Sequence, residues 1–379
     1  MRSFKLLTQV ALAATLALPF ASPAAAQSGD PLKIGLFAPL TGNVAANGTR
    51  FRDGVQLAVE QANAAGGVSG RKLELLVEDD RNLPKEAATI GQKYASTPGV
   101  VLAIGTFSTT ASVAAAPALS EAHIPQISPS SSHPDYTKAS EYTFRNVYRM
   151  DQVAKVHADI ILKELKAKTV VIPYFQDDWG QFVAKTTKEA VEQAGGKVLL
   201  LEPVAPNARD FRPLVSKIKS LNPDAVFLAV HYQEGGVLTQ QLRQAGLKTP
   251  IGSPDTLSNP RYLELAGESA EGLILYTEFF AGDPKNKAFV DAYTAKFGSA
   301  PDQWSARAYD AANVGIAAIR RVAESGKPVT PQAVRDSLLN GPAYQGVTGE
   351  TKYDAQREIN KIPTLLQVRN GKYELYKPN

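Results

Sequence analysis

The 379-residue chain contains no cysteine and only four histidines, which restricts the chemistry open to it. Without cysteine there is no disulfide, thiol nucleophile or cysteine metal site. The histidines show no H-E-x-x-H spacing, and the chain has no G-x-S-x-G elbow, no P-loop pattern and no G-x-G-x-x-G after a strand. We therefore expect no metal, no cofactor and no enzymatic activity. An exported α/β hydrolase using the serines of 128–132 stays a remote alternative.

The chain also lacks a marked excess of charge. It has 41 Lys and Arg against 37 Asp and Glu, a formal net charge of +4. The balance is closer still once the first 26 residues, which carry Arg2 and Lys5, are set aside. This argues against nucleic acid as a partner.

Long apolar runs are missing after the first 20 residues. The opening MRSFKLLTQVALAATLALPFASPAAAQ has basic residues, an apolar run and then small residues, the order of a secretory signal peptide. A membrane-spanning helix is the alternative, but the run is short for a ~20-residue span and contains Gln9 and Pro19. We expect residues 1–26 to be a signal peptide cleaved after Ala26, and the protein to be periplasmic.

What is present is a regular alternation of apolar, β-rich runs with amphipathic helical runs. Strands are predicted at 32–40, 72–80 and 100–105, each followed by a helix, and the rhythm restarts after 142–151 with strands at 169–175, 197–204 and 224–230. The tail adds a strand at 272–280, helices near 286–297, 304–325 and 330–339, and a hairpin of 362–368 and 372–376 around Asn370-Gly371. Strands this apolar need both faces covered, so we predict an α/β chain of two doubly wound parallel-sheet lobes.

Polar groups follow the strands of the first lobe where ligands of open parallel sheets lie. The stretches are APLTGNVAANG after the first strand, GTFSTTAS after the third and SPSSSHP after the fourth. Ser108 and Thr109 stand where a strand becomes a helix, and hydroxyls there can join free backbone N–H groups in holding a carboxylate. Simple N-capping is the alternative, and the two roles are compatible.

The second lobe offers strand-end groups of a different kind. Trp179 begins a helix in YFQDDWGQ, His231 follows a strand in AVHYQEGG, and Asp255 lies in the loop IGSPDTLSN. An aromatic side chain and a carboxylate here complement a carboxylate anchor in the first lobe. The alternatives are a core tryptophan, a helix-start histidine and an Asx-turn aspartate.

Taken in order, several stretches resemble the periplasmic leucine/isoleucine/valine-binding proteins, the solute receptors of branched-chain amino-acid ABC transporters. The stretches are IGLFAPLTGNVAANG, GVQLAVEQANAAGGVSGRKLELLVEDD, IGTFSTTASVAAAPALSEAHIPQISPSSS, DDWGQ, LRQAGLKTPIGSPD and LAGESAEGLI. The resemblance implies a type I periplasmic binding fold, with lobes joined by a three-crossing hinge near 150, 278 and 354. It places 27–150 and 279–354 in the N-terminal lobe and 151–278 and 355–379 in the C-terminal lobe. It also implies a small-molecule ligand, a membrane permease as partner and a monomer.

The resemblance further implies roles for individual residues. Thr109, Ser130 and Ser132, with Ser108 adjacent, match the positions that hold a ligand carboxylate, and Asp255 matches the acid that receives its ammonium. Trp179, His231, Trp304 and Asn47 match positions that are aromatic in relatives. Histidine and asparagine are polar substitutes there, and unpaired polar groups disfavour a purely aliphatic ligand. The ligand is thus expected to be a small amino acid, or alternatively an amide, urea-like compound or aromatic carboxylate.

Overall fold

A computed structural model describes residues 29–359, 361 and 363–378. The signal-peptide prediction falls on residues outside this part. The strands are Leu32–Ala38 (β1), Leu73–Asp79 (β2), Val100–Ile104 (β3), Gln126–Ser128 (β4), Thr143–Arg145 (β5), Thr169–Phe175 (β6), Lys197–Val204 (β7), Ala225–Phe227 (β8), Ile251–Ser253 (β9), Ile274–Thr277 (β10), Tyr344–Gly346 (β11), Gly349–Thr351 (β12), Thr364–Arg369 (β13) and Lys372–Leu375 (β14). The helices are Ala45–Ala64 (α1), Pro84–Ser96 (α2), Thr109–Glu121 (α3), Asp135–Lys138 (α4), Met150–Asp159 (α5), Asp178–Gln193 (α6), Arg212–Leu221 (α7), Tyr232–Gln244 (α8), Pro260–Ala266 (α9), Lys287–Phe297 (α10), Gln303–Glu324 (α11) and Pro331–Asn340 (α12).

Two large sheets organise most of these elements, beside the two-stranded sheet of β11 and β12, and they confirm the predicted fold class. The first sheet has the order β2-β1-β3-β4-β5, with every pair parallel. The second has the order β14-β13-β10-β9-β8-β6-β7, parallel except at one edge, where β13 pairs antiparallel with both β10 and β14. In the first sheet β1 lies between β2 and β3, so the chain order reverses there and the loops after β1, β3 and β4 share one edge.

Each sheet has its own apolar core. The first core combines residues of 32–144 with residues of 304–359, and α11 packs directly on α1. The cores of the second sheet combine residues of 147–276 with Leu366, Val368 and neighbours from the last two strands. We call the two bodies the first lobe and the second lobe. Residues 355–359 were assigned above to the second lobe, yet Ile359 is buried in the core of the first.

Local sequence signals explain most element boundaries. Asn370 and Gly371, with φ of +50° and +70°, form the predicted two-residue turn between β13 and β14. Pro84 and Pro331 stand in the first turns of α2 and α12, where a missing N–H costs nothing. The structure adds β5, β9 and the β11–β12 hairpin, which were not predicted as strands. Among the described residues, no helix is long and apolar enough to cross a membrane.

Candidate functional site

A cleft with a volume of about 1130 Å³ runs between the two lobes at the carboxyl ends of their parallel strands. It contains eight of the nine residues singled out in the sequence. These are Ser108, Thr109, Ser130, Ser132, Trp179, His231, Asp255 and Trp304. The ninth, Asn47, is buried in α1 and does not line the cleft.

The first wall of the cleft carries hydroxyl groups at the N-terminus of α3. Ser108 is the N-cap of α3, and its Oγ accepts a hydrogen bond from Ala111 N at 3.3 Å. Thr109, Ser130 and Ser132 lie beside it, and their hydroxyls form no hydrogen bond with any residue of 29–359. We call these four residues the hydroxyl wall. Free hydroxyls next to a helix N-terminus are suited to binding a carboxylate.

The other serines of the same loop have a structural role. Ser128 Oγ lies 2.8 Å from Ser131 Oγ, which lies 2.7 Å from Ser112 Oγ on α3. The Ser128 hydroxyl also reaches Thr106 O at 3.1 Å, and all three serines are fully buried. This chain of hydroxyls fixes the loop after β4 against the start of α3.

A buried arginine supports the same loop from behind. Arg145, at the end of β5, donates to Ser131 O at 2.9 Å and His133 O at 3.0 Å. Its charge is balanced by Glu358, with Nε 2.8 Å from Oε2 and both side chains buried. Sequence analysis did not find this support, because Arg145 and Glu358 lie more than 200 positions apart in the chain.

Aromatic rings form the sides of the cleft. Trp179 and His231 stack with ring centroids 5.2 Å apart and an interplanar angle of 16°. Phe107 contacts both His231 and Trp304, with centroids 6.0 and 5.4 Å away. Burial lowers the pKa of His231 to about 4, so its ring is neutral near pH 7. These rings therefore give the cleft an uncharged surface suited to an apolar or aromatic part of a ligand.

The floor of the cleft is charged. Arg307 Nη2 lies 2.6 Å from Asp255 Oδ2, and Arg307 Nε lies 2.8 Å from Glu278 Oε2. Glu278 Oε1 accepts the backbone N–H of Tyr148 at 3.1 Å, and the Tyr148 hydroxyl accepts from Arg307 Nη2 at 3.0 Å. We call Asp255, Glu278, Arg307 and Tyr148 the charged cluster. It brings α11 of the first lobe against the loop after β9 of the second, at two of the chain's passages between lobes.

The charged cluster was missed in the sequence except for Asp255. Arg307 lies three positions after Trp304 on α11, so both project from one face of that helix. An N-terminal capping box begins this helix: Asp302 Oδ1 accepts from Trp304 N at 3.0 Å, and Ser305 Oγ accepts from Asp302 N at 3.0 Å. The spacing from Trp304 was the only sequence signal available for Arg307.

Both lobes also meet at the rim of the cleft. Thr110 on α3 donates to Asp178 Oδ2 on α6 at 2.7 Å, and the rings of His133 and Phe182 are 4.5 Å apart. Burial raises the pKa of the neighbouring Asp177 to about 6. No group of three or more His, Asp or Glu side chains in the described residues is placed to hold a metal ion.

Known proteins resemble this chain over nearly its whole length. The profile of the periplasmic binding protein family matches residues 31–372. The Leu/Ile/Val-binding protein homolog 3 of Brucella melitensis is 32% identical, with 94% of this chain and 95% of the relative covered. The leucine-, isoleucine-, valine-, threonine- and alanine-binding protein of Pseudomonas aeruginosa is 30% identical, with 88% and 89% covered.

A solved structure agrees with these relatives. The branched-chain amino acid transporter substrate-binding protein of Streptococcus pneumoniae, in complex with isoleucine, superposes with a TM-score of 0.84 at 28% identity. The match covers 91% of this chain and 98% of that one. With the two lobes, the interlobe cleft and these relatives, the chain belongs to the periplasmic binding protein family.

Proposed function

We propose that this protein is the extracytoplasmic solute-binding protein of an ABC importer, and that it captures a small amino acid by closing its lobes over the cleft. The observation that carries the proposal is the chemistry of the two ends of the cleft. Hydroxyls at a helix N-terminus suit a carboxylate, and Asp255 in the other lobe suits an ammonium group. A ligand with both groups bridges the lobes.

Lobe closure around a bridging ligand changes the shape of the protein. The hydroxyl wall belongs to the first lobe and Asp255 to the second, so each end of a bound amino acid contacts a different body. Closure removes water from these contacts and strengthens them, and it gives the protein a shape that a membrane permease can distinguish from the open one. Ser108, Thr109, Ser130 and Ser132 hold the carboxylate in this scheme. Trp179, His231 and Trp304 enclose the side chain.

The relatives support the same assignment. Two of them are named for binding leucine, isoleucine and valine, and one of these also for threonine and alanine. The family consists of periplasmic binding proteins, which fits a periplasmic location and a membrane permease as partner. We propose that the protein works as a monomer, because one chain supplies both walls of the cleft.

A thermal-shift screen tests the proposal. The screen covers amino acids, amides, urea and aromatic carboxylates at 1 mM each. A ligand that binds only the folded protein with a Kd of ~10 μM adds about 2.7 kcal/mol to the stability at that concentration. Stabilisation by at least one amino acid is the expected result. Stabilisation by none of them contradicts the proposal.

A second candidate is the same protein with a non-amino-acid solute, such as an amide, a urea-like compound or an aromatic carboxylate. The observation that favours it is that Asp255 already contacts Arg307, so the floor offers both hydrogen-bond donors and an acceptor. The aromatic sides of the cleft would also accommodate an aromatic ring. Stabilisation by members of this group alone would establish the second candidate. Turnover of esters or amides in the same preparation would instead point to a hydrolase.

A further inference from the structure

Glu278 belongs to the charged cluster but does not line the cleft. Its side chain is 0% exposed, and both carboxylate oxygens are engaged, one by Arg307 and one by the backbone of Tyr148. Arg307, by contrast, does line the cleft and lies between Glu278 and Asp255. Glu278 therefore acts on a ligand only through the guanidinium that separates them.

The charge of the cluster follows from its surroundings. Burial raises the pKa of the hydroxyls of Tyr148 and Tyr276 well above the usual value, so both are neutral. Burial lowers the pKa of His231 to about 4, so this neighbour of Asp255 is neutral as well. These side chains add no charge to the two carboxylates and one guanidinium.

Two further pairs of ionisable groups lie near the charged cluster. Lys361 donates to Thr348 Oγ1, and the Thr348 hydroxyl donates to Asp310. Burial lowers the pKa of Lys361 and raises that of Asp310, and Lys361 is attracted to Glu278 as well as to Asp310. With this pair included, the three carboxylates of Asp255, Glu278 and Asp310 face the two cations of Arg307 and Lys361, so the excess of one carboxylate remains. Arg145 and Glu358 form a closed ion pair. The charged cluster is thus left with one guanidinium for two carboxylates, which is one uncompensated negative charge.

We propose that Glu278 determines the charge class of the ligand. Glu278 binds one side of the Arg307 guanidinium, so Arg307 does not fully neutralise Asp255. The ligand must therefore bring one positive charge to balance Asp255. This inference rests on the proposed function and names a residue that selects α-amino acids over the same acids without an amino group. Without Glu278, the Asp255–Arg307 pair would be neutral, and an added ammonium would be an uncompensated charge in a desolvated site.

The test compares two ligands that differ only in the ammonium group. The probes are leucine with 4-methylpentanoate, and alanine with propanoate. Calorimetry gives the affinity of each for the natural protein and for Glu278→Gln, and the ratio within each pair is the readout. We expect the preference for the amino acid to fall by on the order of 10- to 100-fold in the variant. An unchanged ratio overturns the inference.

The ratio separates charge selection from a structural role. Glu278→Asp makes this separation, because it keeps the negative charge but shortens the side chain that holds Arg307. If Glu278 acts by its charge, the ratio for Glu278→Asp should stay closer to that of the natural protein than the ratio for Glu278→Gln; an equal fall in both variants would point to a structural role. Glu192→Gln is the matched control, because it removes one carboxylate from the exposed Lys188–Glu192 pair on α6, outside the cleft. We expect this control to keep both the affinities and their ratio.

A measurement on the unaltered protein covers the case in which Glu278→Gln does not fold. Calorimetry in buffers of different ionisation enthalpy counts the protons taken up on binding. An amino acid brings its own positive charge, so we expect no net proton uptake near pH 7. The acid without the amino group should instead bind with uptake of a proton, because the cluster still needs one positive charge. Equal proton uptake for the two probes contradicts the inference.

The outcomes distinguish this inference from the proposed function. If the unaltered protein binds none of the four probes and no other amino acid, the proposed function fails and this inference fails with it. If it binds an amino acid and the ratio and proton count do not differ as described, only the role of Glu278 is wrong.

Discussion

The two ends of the cleft differ in the groups that they offer to a charged ligand: one end has neutral hydroxyls and the other has ionised side chains. The hydroxyl wall contains no ionised side chain: neutral hydroxyls and the N-terminus of α3 face the cleft. At the charged cluster, two carboxylates share one guanidinium within 2.6 to 2.8 Å. Ligand binding at the first end should depend on hydrogen-bond geometry, and binding at the second end on the net charge of the cluster.

This difference predicts how each end responds to change. Loss of one hydroxyl at the wall leaves its neighbours and the helix N-terminus in place, so the effect should be modest. Loss of one charge in a buried cluster changes the sign or size of the local potential, so the effect should be large. The predictions below test that contrast, beginning with the largest effect.

Asp255→Ala should have the largest effect on ligand affinity. The change removes the carboxylate proposed to receive the ammonium and leaves Arg307 paired with Glu278 alone. We expect amino-acid binding to weaken by about 2 to 5 kcal/mol, the cost of losing one partner of a buried charge pair. Calorimetry measures this, with Glu192→Gln as the control. Unchanged affinity would show that the ammonium binds elsewhere.

Acid should lower the stability of the folded protein through the buried His231. Its pKa is about 4 in the folded protein and about 6.5 when unfolded, so the unfolded chain binds more protons between these values. The free energy of unfolding should therefore fall as the pH falls from about 6.5 towards 4. One pKa unit corresponds to about 1.4 kcal/mol, which sets an upper limit of roughly 3 kcal/mol.

His231→Gln isolates this contribution from other acid-sensitive groups. His157, whose pKa burial lowers to about 3, acts in the same direction, and Asp177, whose pKa is raised to about 6, acts in the opposite one. Both are retained in the variant. Denaturant unfolding at several pH values should show a flatter profile for His231→Gln between pH 6.5 and 4. Parallel profiles would mean that His231 is not held neutral by the fold.

Ser131→Ala should reduce the stability of the protein without a direct effect on ligand contacts. Its hydroxyl contacts those of Ser128 and Ser112, and all three are buried. Removal of the middle hydroxyl leaves buried partners unsatisfied, at a cost of about 1 to 3 kcal/mol. Denaturant unfolding measures the loss, with the half-buried Ser130→Ala as the comparison. Equal stability of the two variants would argue against the structural role of Ser131.

Ser132→Ala should produce the smallest change, and in binding. Its hydroxyl lines the cleft and has no partner among the described residues, so its removal should cost the protein less than ~0.5 kcal/mol of stability. The ligand carboxylate should lose one hydrogen bond, about 0.5 to 1.5 kcal/mol of affinity. A loss as large as that of Asp255→Ala would remove the distinction between the two ends of the cleft.

Local patterns were sufficient to predict most of the fold. Long apolar strands such as β1 and β6, the helices between them and the turn at Asn370-Gly371 carry their signals within a few residues. The strands β5 and β9 are only three residues long, too short for a periodic pattern. Their extended form comes from pairing with neighbouring strands, which is a tertiary effect.

The site could be predicted only in part for a similar reason. Strand-end residues such as Thr109, Ser130 and Asp255 occur where the parallel-sheet rule places ligands. Arg307 lies inside a helix and Glu278 on a passage between lobes, and apart from the spacing of Arg307 from Trp304 no neighbouring residue indicates a charged cluster. Asn47 was expected in the cleft because it matches a position that is aromatic in relatives, but it lies within α1 and is buried in the protein interior.

The packing of α1 on α11 has a consequence for the order in which the protein folds. Tyr309 on α11 donates to Gln61 on α1 across 248 positions of the chain, so the first lobe is completed only after nearly the whole polypeptide is present. Contacts this distant in sequence carry a large loop-closure entropy, and proteins rich in them fold slowly. The sheet of the second lobe is likewise complete only after β13 has paired with β10. We therefore expect the native packing of both lobes to be completed only when synthesis of the chain is almost finished.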